Sequence, residues 1–274
     1  MNRIYITFPK GKTKCLTMSY DDGKLQDKKL IEIFDANGIK GTFNLNSGLL
    51  DKPAPQNGYS RIPSSEIMEV YRDHEVAAHT YSHPTLERCP LSEVAWEIME
   101  DRKKLEEITG RLVRGNAYPN GSYSEEIKVL FRQLGIDYAR VVEAVPDFKL
   151  PRDPYEWHPT AHHNDPKLMD KAEFFVGFNK KQYLKLMYIW GHSYEFDKDD
   201  NWEVMERFCK YAGRREDIWY ATNIEFIDYM NAAKSLKFSA DNSFVYNPGA
   251  SVVCLEAEGK YVEAVGGETT KLTF

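Results

Sequence analysis

The sequence predicts an irregular α/β barrel of seven strand-helix units followed by a small β appendage. Three observations lead there. Apolar strand-like runs alternate with helical periodicities over most of the 274 residues. The reactive side chains collect at the C-terminal ends of the predicted strands, where barrel chemistry resides. From Leu236 onward the pattern changes to short alternating runs broken by Asp241-Asn242, Asn247-Pro248-Gly249, Glu258-Gly259 and Gly266-Gly267.

Cys15 to Tyr20 reads as the first strand, and the helix after it, around Gln26 to Asn37, places Leu30, Ile33 and Phe34 at i, i+3 and i+4 before Gly38 stops it. Thr42 to Leu45 is the second strand, followed by a loop rich in Pro and Gly and a helix capped near Ser64 or Ser65. Val76 to Thr80 is the third, with a long helix from Ser92 to Thr109 ending at Gly110. Val113 to Tyr118 is a short fourth strand, and Ile127, Leu130, Phe131 and Leu134 mark the helix that Gly135 closes. Tyr138 to Val142, Leu186 to Trp190 and Ile218 to Ala221 complete the strands, with helices at Trp202 to Ala212 and Ile224 to Lys234. Glu143 to Pro166, dense in Pro, Asp and His, reads as a long loop on the working face. The expected division is a barrel over residues 1–235 and an appendage over 236–274, packed on the barrel because so short a segment buries too little to stand alone.

A net charge of -6 and a pI near 5.7 argue against a nucleic-acid backbone or an anionic membrane surface as partner, and suit a neutral substrate. No stretch reaches transmembrane length, and Met1 to Lys14 lacks the apolar core of a signal peptide. Cys15, Cys89, Cys209 and Cys254 are too scattered for a disulfide scaffold or a metal knuckle. A cytoplasmic location is the expectation.

His79-Thr80-Tyr81-Ser82-His83 sets two imidazoles four residues apart, on one face if the chain turns helical after the strand. Read alone, such a pair is as compatible with a solvated helix face as with a metal. Asp21-Asp22-Gly23 after an apolar strand is, by itself, equally a strand-ending turn. Together they make a His/His/carboxylate set with open positions for water and substrate, plus a second carboxylate free to take a proton. His192 ends the apolar strand Tyr188-Ile189-Trp190-Gly191, and a histidine there can protonate a leaving amine.

These motifs resemble the polysaccharide deacetylases with the NodB-homology domain, carbohydrate esterase family four. Ser19-Tyr20-Asp21-Asp22-Gly23 is similar to the family's T-F-D-D-G, and His79 to His83 matches its H-x-x-S-H. Trp190-Gly191-His192 stands at its Leu-x-His. The resemblance implies Asp21 as base, Asp22, His79 and His83 as metal ligands, His192 as acid and a (β/α)7 barrel. It also implies a divalent ion, zinc first, with cobalt, nickel or manganese as alternatives.

The family's Arg-x-Pro-Tyr motif is replaced by Ala117-Tyr118-Pro119-Asn120, so the Arg that steadies the catalytic Asp is absent. Arg140, ending the neighbouring strand, is the candidate replacement, against the reading of a surface ion-pairing residue. The Asn120 main-chain N–H is expected to hold the oxyanion. The family's Asp-x-x-Asp-Trp motif has only a weak echo in Glu156-Trp157. Tyr118, Pro119, Trp157 and Trp190 are the candidate substrate contacts, with Tyr194 a further ring, against a reading of these aromatics as packing. His158, His162 and His163 are either a second metal or sugar site or, in a polar loop, solvated rim residues.

The function expected is hydrolysis of an N-acetyl group on a carbohydrate. Alternatives are an O-acetyl ester or small cyclic amide at the same metal, or, from another class, a non-catalytic carbohydrate-binding barrel.

Overall fold

Residues 3–54 and 58–272 are described by the computed structural model. β1 (Ile4–Ile6) is followed by β2 (Lys14–Asp21), every residue of which is buried. Burial on both faces requires partners for its polar members: Thr17 donates to Asn223 Oδ1 (2.8 Å) and Ser19 Oγ accepts from Asn44 (2.8 Å). Then come α1 (Asp27–Ala36), β3 (Gly41–Leu45), α2 (Ile67–Val70), β4 (Glu75–Ala78), α3 (Leu91–Thr109), β5 (Gly115–Ala117), α4 (Glu125–Gln133) and β6 (Tyr138–Arg140). The barrel part ends with β7 (Ala161–His162), α5 (Leu168–Gly177), β8 (Lys185–Gly191), α6 (Tyr194–Lys198), α7 (Trp202–Ala212), β9 (Ile218–Tyr220) and α8 (Asn223–Ser235). α5 is a helix the sequence reading leaves out, although its buried Leu168, Ala172 and Phe175 carry helical spacing.

The parallel strands follow the order β6-β5-β4-β3-β2-β8-β7 and curl into an irregular seven-stranded (β/α) barrel. The two ends approach through residues 157–162. The Trp157 N–H donates to Ala139 (3.0 Å) and its carbonyl accepts from Val141 (3.2 Å), while the Thr160 N–H donates to Tyr188 (2.7 Å). The segment expected as a plain loop therefore contains the closing strand. Its pairing is two residues long and one of the two is His162, so no apolar run announces it. β9, expected as the seventh ring strand, instead pairs with Lys14–Leu16 of β2, and β3 takes Met18–Asp21. Since β8 occupies the other edge of β2, β9 and β3 share one edge.

Two expected substrate contacts are core residues. Trp157 is 1% exposed among Tyr138, Tyr188 and Phe226, with ring centres 5.6, 4.7 and 5.2 Å away. Tyr118 is fully buried, stacked on Tyr123 and Phe131, and donates to the Tyr155 carbonyl (2.9 Å). Large rings at strand ends gain more from burial than a sugar-facing position would leave them. Trp157→Ala should accordingly destabilise the fold by about 3–5 kcal/mol, read as a lower denaturant midpoint. A near-native midpoint with weakened substrate binding would restore the substrate-contact reading.

The tail forms β10 (Lys237–Phe238), β11 (Phe244–Tyr246), β12 (Val253–Ala257), β13 (Lys260–Ala264) and β14 (Thr269–Lys271) in two three-stranded sheets. One of them includes β1, antiparallel to β12. Tyr229 of α8 ties this layer to the barrel, donating to the Thr7 carbonyl (2.6 Å) and accepting from the Cys254 N–H (2.9 Å). Among the described residues no helix is long and apolar enough to cross a membrane.

Candidate active site

The C-terminal ends of β2, β3, β4, β5, β6 and β8 converge on one mouth. Asp21 closes β2 and is 2% exposed, directly opposite Asn44 in register, whose amide donates to Oδ1 (2.8 Å). Arg140, fully buried at the end of β6, donates to Oδ2 of the same carboxylate. Arg140 is the register neighbour of Ala117, so the guanidinium reaches the Asp from one strand further along than the family motif would place it. The indole of Trp190 covers it, 4.3 Å from the ring centre. Trp190, expected as a substrate contact, is 9% exposed and covers this ion pair.

Burial would raise the Asp21 pKa, but Arg140, then His79 and His192, and the Asn44 hydrogen bond outweigh it and hold the carboxyl at about 2. An ionised carboxylate is the form a base needs. Arg140→Ala removes the largest favourable charge and leaves burial in place, so the Asp21 pKa must rise. The acidic limb of the pH–rate profile should move to higher pH with metal content unchanged. An unshifted limb would show that Arg140 does not control the base.

Asp22 follows with φ 78°, and Gly23 with φ 60°. A Cβ at Gly23 would lie 2.7 Å from Leu45 Cδ2, so this turn requires glycine. The H-x-x-S-H segment does not turn helical as expected. Thr80 and His83 each have φ 65°, and this left-handed backbone, not an i,i+4 helical face, brings the rings together, 4.8 Å apart and nearly perpendicular. A β-branched residue held in this region marks strain that the surroundings must maintain. Here α3 does so: Asp101 accepts from the His79 N–H (3.0 Å) and the Ser47 N–H (2.7 Å), and Glu97 accepts from the Ser82 N–H (2.8 Å).

The ligand atoms of Asp22, His79 and His83 all lie within 4.8 Å of one another. The Nδ1–H of His79 donates to the Ala117 carbonyl (2.7 Å), which leaves Nε2 with a lone pair facing the carboxylates. Burial, against the pull of Asp21, lowers the His79 pKa to about 4 and keeps the ring neutral. Burial opposes ionisation of Asp22 as well, but His79 and Lys24, the latter 3.7 Å away, lower its pKa. Two imidazoles and one carboxylate fit a zinc-type ion.

Among the other expected residues, Pro119 is buried and Asn120 exposed at the mouth, where the Asn120 side chain donates to Thr85 (3.2 Å) and its backbone has φ 57°. His192 lies beyond β8. Burial lowers its pKa, but Glu195, Asp21 and Asp22 outweigh this and raise it.

His162, His163 and Glu195 bring donor atoms equally close together. The Asn164 N–H donates to His162 Nδ1 (3.2 Å), and His162 Nε2 lies 3.2 Å from Glu195. Both ring nitrogens of His163 are buried without a hydrogen-bond partner among the described residues, so the three side chains form a second close imidazole-carboxylate cluster beside the mouth. His163 is fully buried and not solvated as the sequence reading allows, whereas His158 is half-buried against the Glu143 carbonyl (2.9 Å).

The supporting residues Asn44, Glu97, Asp101 and Glu195 are not among those the sequence reading singles out. Glu97 and Asp101 had a signal: they occupy the buried face of α3 with Val94, Ile98 and Leu105, where acids belong only if something pairs with them.

The family model for polysaccharide deacetylases matches residues 9–139, which hold the Asp-Asp and H-x-x-S-H motifs and stop one residue before Arg140. A chitin deacetylase from Arthroderma benhamiae is 29% identical over 126 residues, 43% of this chain and 31% of that protein. The chain thus spans about a third of the length of the curated relative it matches. Among solved structures, a candidate polysaccharide deacetylase from Mycobacterium smegmatis superposes with TM-score 0.58 at 14% identity, over 84% of this chain and 94% of that one. A mutant of a CE4-family pseudoenzyme from Bacillus anthracis gives TM-score 0.51 at 17% identity, over 82% and 70%. These likenesses establish the fold, and a pseudoenzyme among them means that activity has to be argued from the side chains. The family match, the motif residues and the barrel agree: residues 9–139 are similar to the polysaccharide deacetylases, on a fold shared with that family's solved structures.

Proposed function

We propose that the protein is a metal-dependent hydrolase that removes the acetyl group from an acetamido sugar. The observation that carries this reading is the ion-paired, ionised Asp21 lying beside three metal-type donors without being needed as one of them. A divalent ion held by Asp22, His79 and His83 would polarise the acyl carbonyl and bring the pKa of water toward about 7. Asp21 takes the proton from the attacking water as its oxygen bonds to the acyl carbon. The Asn120 N–H donates to the oxyanion that develops. His192, whose raised pKa favours the protonated ring, gives its proton to the sugar nitrogen as the C–N bond breaks, and acetate and amine leave. Tyr59 and Tyr194, stacked 5.1 Å apart beside His192, offer the ring surface that Trp157 and Tyr118 do not.

The test is acetate release by the zinc-loaded protein from chitooligosaccharides, peptidoglycan fragments, acetylated xylan and small acetamido sugars. Release from acetamido substrates supports the reading. Release from xylan alone assigns an O-acetyl esterase, and release from none, with sugar binding retained, assigns a carbohydrate-binding barrel.

A further inference from the structure

We infer that Glu195 is the positioning residue of His192, holding its imidazole through Nδ1 while His162 and His163 hold the carboxylate in turn. The inference rests on the deacetylase reading above and concerns how the proton donor is kept aimed.

Residues 192–195 make a tight turn, with the Glu195 N–H donating to the His192 carbonyl (3.1 Å) and the His192 N–H donating back to Glu195 Oε2 (3.2 Å). The turn folds the carboxylate over its own histidine, Oε1 lying 3.4 Å from Nδ1. The contact has the separation of an ion pair, and Nδ1 has no other hydrogen-bond partner among the described residues, so a small rotation of either side chain lets the carboxylate accept from Nδ1–H and leaves Nε2 as the nitrogen that exchanges a proton with substrate. A carboxylate on a short surface helix would normally swing among rotamers, and this one is restrained. Its Oε2 lies 3.2 Å from Nε2 of both His162 and His163. His163 is itself immobilised, fully buried between Tyr20 (5.7 Å, 8° between planes) and Phe196 (4.1 Å, 27°). Gly191 makes room for it, since a Cβ there would sit 2.0 Å from His163 Nδ1. His162 is wedged edge-on against Trp190 (4.7 Å). The closing strand β7 thus acts as a brace for the proton donor, delivered through one glutamate.

Leaving-group chemistry separates positioning of an acid from general support of the fold. An amine must be protonated to leave, whereas 4-nitrophenolate leaves unaided. In the zinc-loaded protein, Glu195→Gln should lower the ratio of the acetamido-sugar rate to the 4-nitrophenyl acetate rate by on the order of 10²-fold, acting on kcat rather than KM. In a His192→Ala background the same substitution should change that ratio no further, because Glu195 acts only through His192. Equal losses on both substrates, or a further drop in the ratio in the His192→Ala background, would overturn the inference. So would a wild-type ratio in Glu195→Gln when His192→Ala alone lowers it, and this result would leave the deacetylase reading standing. No acetamide turnover by the wild type would instead remove that reading and this inference with it.

Discussion

Purified His79→Ala and His83→Ala proteins are expected to carry only a small fraction of the wild-type divalent metal while remaining folded. Each substitution removes one of three donors, and a His/carboxylate pair cannot hold a zinc-type ion against buffer as three ligands do. The rest of the site should survive, because the backbone around the imidazoles is fixed from elsewhere: Asp101 and Leu45 accept from the His79 N–H, and Thr80 Oγ1 accepts from the His83 N–H (3.1 Å). Elemental analysis alongside a circular dichroism spectrum checks this. Undiminished metal in both variants would mean the ion binds elsewhere.

Asp21→Asn should show the opposite dissociation, near-wild-type metal with acetate release reduced by roughly 10²–10⁴-fold, the range for loss of a general base. The amide keeps the shape and its oxygen can still accept from Asn44, but it cannot take a proton from water. It also leaves the fully buried Arg140 without a counter-charge, at a stability cost on the order of 3 kcal/mol, so rates must be compared well below the variant's melting temperature. Substantial acetate release by metal-loaded Asp21→Asn would assign the base to another group.

What was legible in the sequence follows from where its signals are dense. The strands β2, β3, β4 and β8 are apolar runs bounded by turn residues, and each reactive motif sits directly after one, so the barrel mouth assembles on paper. Arg140 was legible for a related reason: adjacent parallel strands place their ends side by side, and Ala117 and Arg140 are register partners. β7 was hidden because a two-residue strand carries no period, and the seventh ring position passed to β9 in its place. Trp157 and Tyr118 read as sugar platforms because exposure cannot be seen in an aromatic residue's name; their neighbours in space, Tyr188, Phe226 and Phe131, are remote in sequence. Glu195 was hidden in a different way. It stands in a segment, Glu195 to Asp200, in which every residue but Phe196 is charged and which looks like a solvated surface, and only the turn from His192 and the return of His162 and His163 across the mouth reveal it.

The geometry also ties features together that the sequence shows separately. Trp190 replaces a smaller family residue and Ala117 replaces an arginine; the two changes meet at Arg140, which fills the space near one and lies under the other. Arg140→Lys would test the pairing as well as the charge, since an ammonium neither stacks on the indole nor forks toward the carboxylate in the same way.

The central claim is that Asp22, His79 and His83, and not the neighbouring histidine-glutamate cluster, hold the metal, with Asp21 standing free beside it. Anomalous scattering from crystals of the zinc-loaded protein, recorded on both sides of the zinc edge, tests this without reference to any substrate. The account predicts a peak roughly 2.0–2.2 Å from His79 Nε2, a His83 nitrogen and an Asp22 oxygen, with both Asp21 oxygens still engaged by Asn44 and Arg140. A peak enclosed by His162, His163 and Glu195, or one coordinated by Asp21 in place of Asp22, would contradict it.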